Sequence, residues 1–395
     1  MNTHAAFGAA LPRAQRALLF GNFAIGCGVM VVSGALNDIA RSLDVSVALA
    51  GQLIAIAAAV MGFGAPLLAG LVAGWDRRRL LSLTLLWYAL GHGICALMPD
   101  YASLWPVRAL TMLASAVFTP QAAAAVGFMT PPAQRGRAVT FIFLGWSLAS
   151  VAGMPLAAWI GETLGWRSAM AGVALLSAAG ALWVWRALPE GVRPPGLSLG
   201  AWRSVFASPV LMAMVAVTAL QSAGQFTLLS YLAPYLRQVL DATPATIGLL
   251  FAWFGVCGLS GNMMLSRHVD RVGAGRAVSV LLCGIALGLL LWPLGATPLL
   301  LAMVLVPWAL SGFACNSAQQ ARLVHAAPAL SSALMALNTS ALYLGQAAGA
   351  ASGGWLIGHG GYGPLHWVGL GWLLVAIAAS VWASRQAARR CPAAA

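Results

Sequence analysis

The chain has 395 residues, 61% of them hydrophobic and 7% charged, with eight carboxylates, 21 basic residues and a net charge of +13. Soluble domains carry about a quarter charged residues, so this composition excludes a soluble globular enzyme. The 44 glycines and a mean hydropathy of +0.86 fit packed intramembrane helices rather than a disordered or collagen-like chain.

A bilayer core of about 30 Å takes roughly 20 apolar residues per helix, which leaves room for about a dozen spans. Apolar windows bounded by Arg, Pro, Gly and acidic turns predict twelve of them. The first half reads 17–37, 48–69, 80–99, 102–124, 138–160 and 168–186. Arg13 and Arg16 ahead of the first run resemble a signal peptide, but the run is long and further spans follow, so it is read as a membrane helix. A polar, proline-bearing stretch at 187–208 is the expected cytoplasmic linker between an N-terminal bundle (1–186) and a C-terminal one (209–395). The second half reads 209–232, 244–265, 277–294, 298–319, 331–357 and 365–384.

The basic residues, all arginine, fall in short turns between these runs, so the high pI near 10.7 does not call for nucleic acid. Most collect on one side of the predicted membrane, Arg322 among them. Arg41, Arg167 and Arg237 fall on the other, and Arg108 lies inside a span. Arginine is held back on the cytoplasmic side during insertion, so both termini are expected there. The six cysteines show no metal-ligand spacing, and no Walker loop, dinucleotide fingerprint or nucleophile elbow occurs, so neither a metal, a cofactor nor catalysis is expected. The sixteen tryptophans divide between interface belts, as for Trp75, Trp105, Trp166 and Trp382, and the interior, as for Trp87 and Trp253.

The halves repeat. At an offset of 197, Gly51 meets Gly248, Gly64 meets Gly261, Arg79 meets Arg276, and the N-cap candidate Ser46 meets Thr243. At an offset of 200, Gly145, Gly153 and Gly161 meet Gly345, Gly353 and Gly361. Glycines spaced by four or eight residues share one helix face and allow close backbone approach. Parallel repeats joined by a linker are the layout of alternating-access carriers.

Arg108 is about six residues inside its span, roughly 9 Å deep, where an isolated arginine is costly. It should face a polar cavity or a partner, and by depth the partner expected is Asp38 in GALNDIARSL. Charge attraction lowers that carboxyl's pKa and desolvation raises it, so access to water could switch its protonation. No carboxylate lies at mid-membrane, and His92, in span three, ranks below Asp38 as a titratable group because such a residue usually makes one backbone contact.

The turns GLVAGWDRRRLL (Gly70 to Leu81) and SRHVDRVGAGR (Ser266 to Arg276) resemble the loop signature of the major facilitator superfamily. The second carries Asp270, Arg271 and Gly273 in place. The first has Gly74 where the aspartate is expected, with Asp76 two residues later, beside Arg78. In LWPVRALTMLASA, Arg108 matches the family's span-four arginine, and Gly153-Met154-Pro155-Leu156 is similar to the antiporter motif of span five. Ala336 to Leu356 is similar to span eleven of arabinose-efflux-like proteins.

The resemblance implies an all-α integral membrane protein of twelve transmembrane helices in two pseudo-symmetric six-helix bundles. It implies drug:proton antiporter or arabinose-efflux-like activity, with Asp38, Arg108, Gly153, Pro155, Asp76, Arg78, Asp270 and Arg271 in coupling or gating. By the family's arrangement, spans one, four, seven and ten line the pathway. They offer Asn22, Gln121, Gln221, Gln225, Tyr231 and Asn316, to which spans five and eleven add Trp146, Asn338, Tyr343 and Gln346. The expected partners are a small-molecule substrate, protons and the lipid bilayer, for a monomer in a bacterial inner membrane. The competing expectations are a metabolite uptake permease, a facilitated-diffusion carrier, or a non-transporting sensor or scaffold.

Overall fold

The computed structural model describes residues 10–72, 74–131, 135–194, 199–327 and 330–390, and among them every regular element is helical. The first half runs α1 (Leu11–Gly34), α2 (Leu36–Ser42), α3 (Val47–Leu71), α4 (Arg77–Leu97), α5 (Tyr101–Met129), α6 (Arg135–Leu148), a π-helical turn (Ala149–Gly153), α7 (Met154–Thr163) and α8 (Trp166–Ala187). The second runs α9 (Leu199–Phe206), α10 (Pro209–Leu229), α11 (Leu232–Gln238), α12 (Pro244–Val272), α13 (Ala274–Leu290), α14 (Pro298–Ala326), α15 (Ser331–Gly360) and α16 (Leu365–Arg390).

Ten helical runs among the described residues are long and apolar enough to cross a membrane. Two more complete the twelve predicted spans. One is α13, apolar but only 17 residues long. The other is α15, 30 residues long, whose apolar stretch is diluted by Asn338, Gln346 and several glycines.

The helices start where side chains can satisfy the orphan amides of the first turn. Ser46 accepts from Leu49 N (3.1 Å), Asp100 from Ser103 N (2.8 Å), and Thr297 from Leu300 N (3.3 Å). Thr243, at the position equivalent to Ser46, accepts from Thr246 N (3.2 Å). Both halves also break their first long helix near its end and resume with a seven-residue helix, α2 and α11 respectively.

The glycine stripes mark the tightest packing. A Cβ at Gly145, Gly153 or Gly161 would run into Leu19 O, Cys27 Sγ or Ala35, and one at Gly345, Gly349 or Gly353 into Ala219 O, Ala223 O or Thr227 O. Span five is interrupted by the π turn directly before Pro155. Proline has no N–H to continue the α ladder, and a π turn absorbs the mismatch.

The chain folds as two compact units, Met1–Gly196 with Thr243–Ala252, and Leu197–Ala242 with Trp253–Ala395. Within residues 187–208, Val192 O accepts from Arg77 N (3.0 Å) in the first unit. Further on, α9 buries Val205 in the core of the second, beside Leu211, Leu323 and Ala383.

Three tryptophan expectations are corrected. Trp166 is buried rather than in a belt, while Trp87 and Trp253 are about half exposed. Each of the latter gives its indole N–H to a carbonyl of the neighbouring helix, Leu110 O and Ala302 O, both at 2.9 Å. One acceptor satisfies the indole, and its apolar faces are then free to meet lipid.

Candidate functional site

Arg108 is 1% exposed, and the hairpin between α4 and α5 sets its partner. His92 stands five residues before the end of α4 and Arg108 seven residues after the start of α5, so the two lie level across antiparallel helices. The Arg108 guanidinium meets His92 Nε2 at 3.0 Å and donates to Gly28 O (2.8 Å) and Val29 O (3.4 Å) on α1. A guanidinium has donors only, so Nε2 must accept and be unprotonated. Nδ1 then donates to Tyr88 O (2.9 Å), and the Tyr88 hydroxyl donates to Ile25 O (3.0 Å).

The cluster has no slack. The Tyr88 and His92 rings meet edge-on at 4.3 Å, and a Cβ at Gly28 would collide with both. His92 is fully buried, contrary to the minor role its sequence context implies.

The expected Asp38–Arg108 pair is not formed. Asp38 lies in α2 with Oδ1 2.9 Å from Arg41, and its Oδ2 accepts from Trp166 N (2.7 Å) at the start of α8, whose N-cap Gly165 has no side chain to offer. A carboxylate at a helix N-terminus with an arginine one turn away is already satisfied, so it stays at the membrane edge.

Asp76 and Arg78 act locally too. Asp76 accepts from Arg78 N (3.0 Å) and Gly191 N (2.6 Å), while Arg78 reaches Glu190 Oε1 (2.9 Å) and Trp185 O (2.8 Å) and stacks over the Trp185 ring. Together they tie the α3–α4 turn to the segment after α8. Arg271 is exposed in the last turn of α12, and the Asp270 side chain lies outside the described ones.

The polar pathway candidates fall into two groups. In the first unit, Asn22 donates to Ile142 O (3.1 Å) and accepts from Thr119 (3.0 Å), which also meets the Trp146 indole (3.4 Å). In the second, Thr218 donates to Asn338 (2.6 Å), Trp308 to Gln225 (2.9 Å), and Tyr231 to Ala350 O (2.8 Å). These side chains bridge helices. Tyr343 is buried and Asn316 half-buried, its Oδ1 without a hydrogen-bond partner among the described residues. Gln121, Gln221 and Gln346 are buried, and none makes a side-chain hydrogen bond among the described residues, which leaves their amides available to a solute.

Sequence reasoning missed Thr119, Tyr88 and the rank of His92. The level positions of His92 and Arg108 about one hairpin turn carried the signal. It also placed Arg322 in a turn, whereas α14 runs on to Ala326 and buries it.

A family model described as Major Facilitator Superfamily matches residues 18–329 and 214–393. The chain is 31% identical over 347 residues to the inner membrane transport protein YdhP of Escherichia coli, covering 87% of this chain and 88% of that one. It is also 31% identical over 366 residues to a chloramphenicol resistance protein of Streptomyces lividans, covering 90% and 91%. In fold it is similar to the xylose transporter XylE from E. coli, with a TM-score of 0.72, 15% identity and coverage of 94% and 97%. With these matches and its long apolar helices, the chain is a multi-pass membrane protein that belongs to the major facilitator superfamily.

Proposed function

We propose that this protein is a secondary active exporter of a small organic compound, a drug or a sugar, driven by proton exchange across a bacterial inner membrane. Both termini face the cytoplasm, residues 187–208 form the linker between the two units, and transport proceeds by alternating access. The observation that carries the coupling is the buried contact between Arg108 and His92. The likeness to a chloramphenicol resistance protein supports a drug as the substrate class.

The coupling follows from proton accounting. As long as Nε2 accepts from Arg108, the cluster holds α1, α4 and α5 together. A proton arriving at Nε2 turns the acceptor into a donor facing another donor, so the contact must open and the Arg108 grip on Gly28 and Val29 must be remade. The other titratable groups packed around it are Tyr88 and Cys95 on α4 and Cys27 on α1, with no carboxylate among the described residues. His92 therefore takes the role assigned from sequence to Asp38. Gln121 in the first unit, and Gln221 and Gln346 in the second, each offer a neutral amide as an anchor for a substrate.

The test is flux from reconstituted vesicles under an imposed pH gradient, screened across dyes, antibiotics and sugars, with wild type, His92→Gln and Asp38→Asn compared. Gradient-driven flux is expected in wild type and Asp38→Asn and absent in His92→Gln. Equal gradient-driven flux in all three would remove His92 from the coupling, and flux indifferent to the gradient in wild type would make the protein a facilitated-diffusion carrier.

A further inference from the structure

The second unit holds a cavity of about 690 Å3 at the helix ends that carry Arg271 and Arg276. Its polar lining is Arg276 from α13, Arg322 and His325 from α14, and Ser384 from α16, and its apolar lining includes Met214 and Val272. Among the described side chains, no carboxylate lines it.

Arg322 is the unusual member. It is 5% exposed, and its partners are all neutral: Ser380 Oγ (3.0 Å), Ser380 O (3.0 Å) and Ser384 Oγ (2.9 Å). Its Nε has no hydrogen-bond partner among the described residues and faces Gly275, where an added Cβ would lie 3.8 Å away. This buried cation is held only by hydroxyls and a carbonyl, with no counter-ion among the described residues.

Two further features converge on the same space. The Arg276 and His325 side chains are exposed at its mouth and make no hydrogen bond among the described residues. The first turn of α13, Ala274 to Arg276, also lines the cavity, and its N-cap Gly273 contributes no side-chain cap. Unsatisfied amides at a helix N-terminus favour an oxyanion, and the dipole adds to the arginine charge.

We infer that this cavity binds a phosphate group, with Arg322 as its fixed floor and Arg276 and the α13 amides as its closing contacts. The source is either the headgroup of an anionic phospholipid, whose glycerol and chain roots would lie against Met214 and Val272, or a soluble phosphate. Basic pockets between membrane helices commonly take such headgroups. The inference stands independently of the proton-coupling reading.

The test uses the purified full chain in a neutral detergent at constant ionic strength. The thermal unfolding midpoint is read against added dioleoylphosphatidylglycerol, dioleoylphosphatidylcholine or inorganic phosphate. Wild type should respond to phosphatidylglycerol or phosphate and not to phosphatidylcholine. Arg276→Gln, an exposed change, should weaken that response about fivefold, the effect of one arginine near a phosphate. Arg41→Gln, an exposed arginine in the other unit, should leave it intact.

A response to phosphate without one to phosphatidylglycerol assigns the soluble source, and the reverse assigns the lipid. Equal responses to the two lipids with none to phosphate, or an Arg276→Gln protein that titrates like wild type, would overturn the inference.

Discussion

Arg108 and Arg322 are both buried arginines with no carboxylate partner among the described residues, yet their surroundings differ in kind. Arg108 is enclosed: three acceptors on two neighbouring helices meet its guanidinium, and Gly28 packs so closely on Tyr88 and His92 that a Cβ there would collide with both. Arg322 is supported from one side by Ser380 and Ser384 and opens on the other into a cavity. An enclosed cation is a structural clamp whose state changes only when a partner does. A half-supported one is half of a binding site.

The largest expected difference lies in stability. Arg108→Ala removes the buried donor of Gly28 O, Val29 O and His92 Nε2 and leaves a void between the helices, and should cost about 2–3 kcal/mol in detergent thermal unfolding. Arg322→Ala leaves two serines that water can reach through the cavity, so its cost should stay near or below about 1 kcal/mol. Equal losses would erase the distinction.

Gly28→Ala sharpens the enclosed side. The new methyl meets the Tyr88 hydroxyl and the His92 ring, so about 1–3 kcal/mol of overpacking is expected, against no measurable loss for Gly275→Ala near the open arginine, where an added Cβ meets only Ser384 Oγ (3.5 Å) and Arg322 Nε (3.8 Å) at ordinary contact distance. His92→Gln separates clamp from switch. Glutamine keeps an acceptor for Arg108 and cannot titrate, so unfolding should shift by about 1 kcal/mol or less while gradient-driven flux disappears.

The smallest effect concerns the caps of the two arginine-bearing helices. Asp100 starts α5, and its hydrogen bonds to Ser103 hold its carboxyl below the ordinary carboxylate value, whereas α14 starts on neutral Thr297. A depressed folded pKa means that the cap's contribution is full above the unfolded value and fades as pH falls through the folded one. Acid scans below about pH 4 should therefore show a slight loss that Asp100→Asn removes and Thr297→Ser does not alter.

Much of the fold was legible because its causes are local. Hydropathy gave span positions, hydroxyls gave helix starts at Ser46 and Thr243, and glycine spacing gave the faces of α6, α7 and α15 that approach α1 and α10. The site was legible only in part. Arg108 stood out because one cation inside a span needs an account, but its partner was misjudged by matching charge to charge. Asp38 had nearer partners in Arg41 and the α8 amide, whereas His92 owed its importance to geometry across a hairpin.

The amino-acid order alone determined that the chain lives in lipid, where its apolar spans fall, which glycine faces pack closely, and which family it resembles. These follow from water's rejection of apolar surface and from periodicities that every helix shares. Which polar groups meet was decided by the tertiary structure: His92 with Arg108, Asp38 with the α8 terminus, Arg322 with Ser380 and a cavity. In a low-dielectric interior a hydrogen bond is won by the partner a few tenths of an ångström nearer, and only the packed helices set that distance.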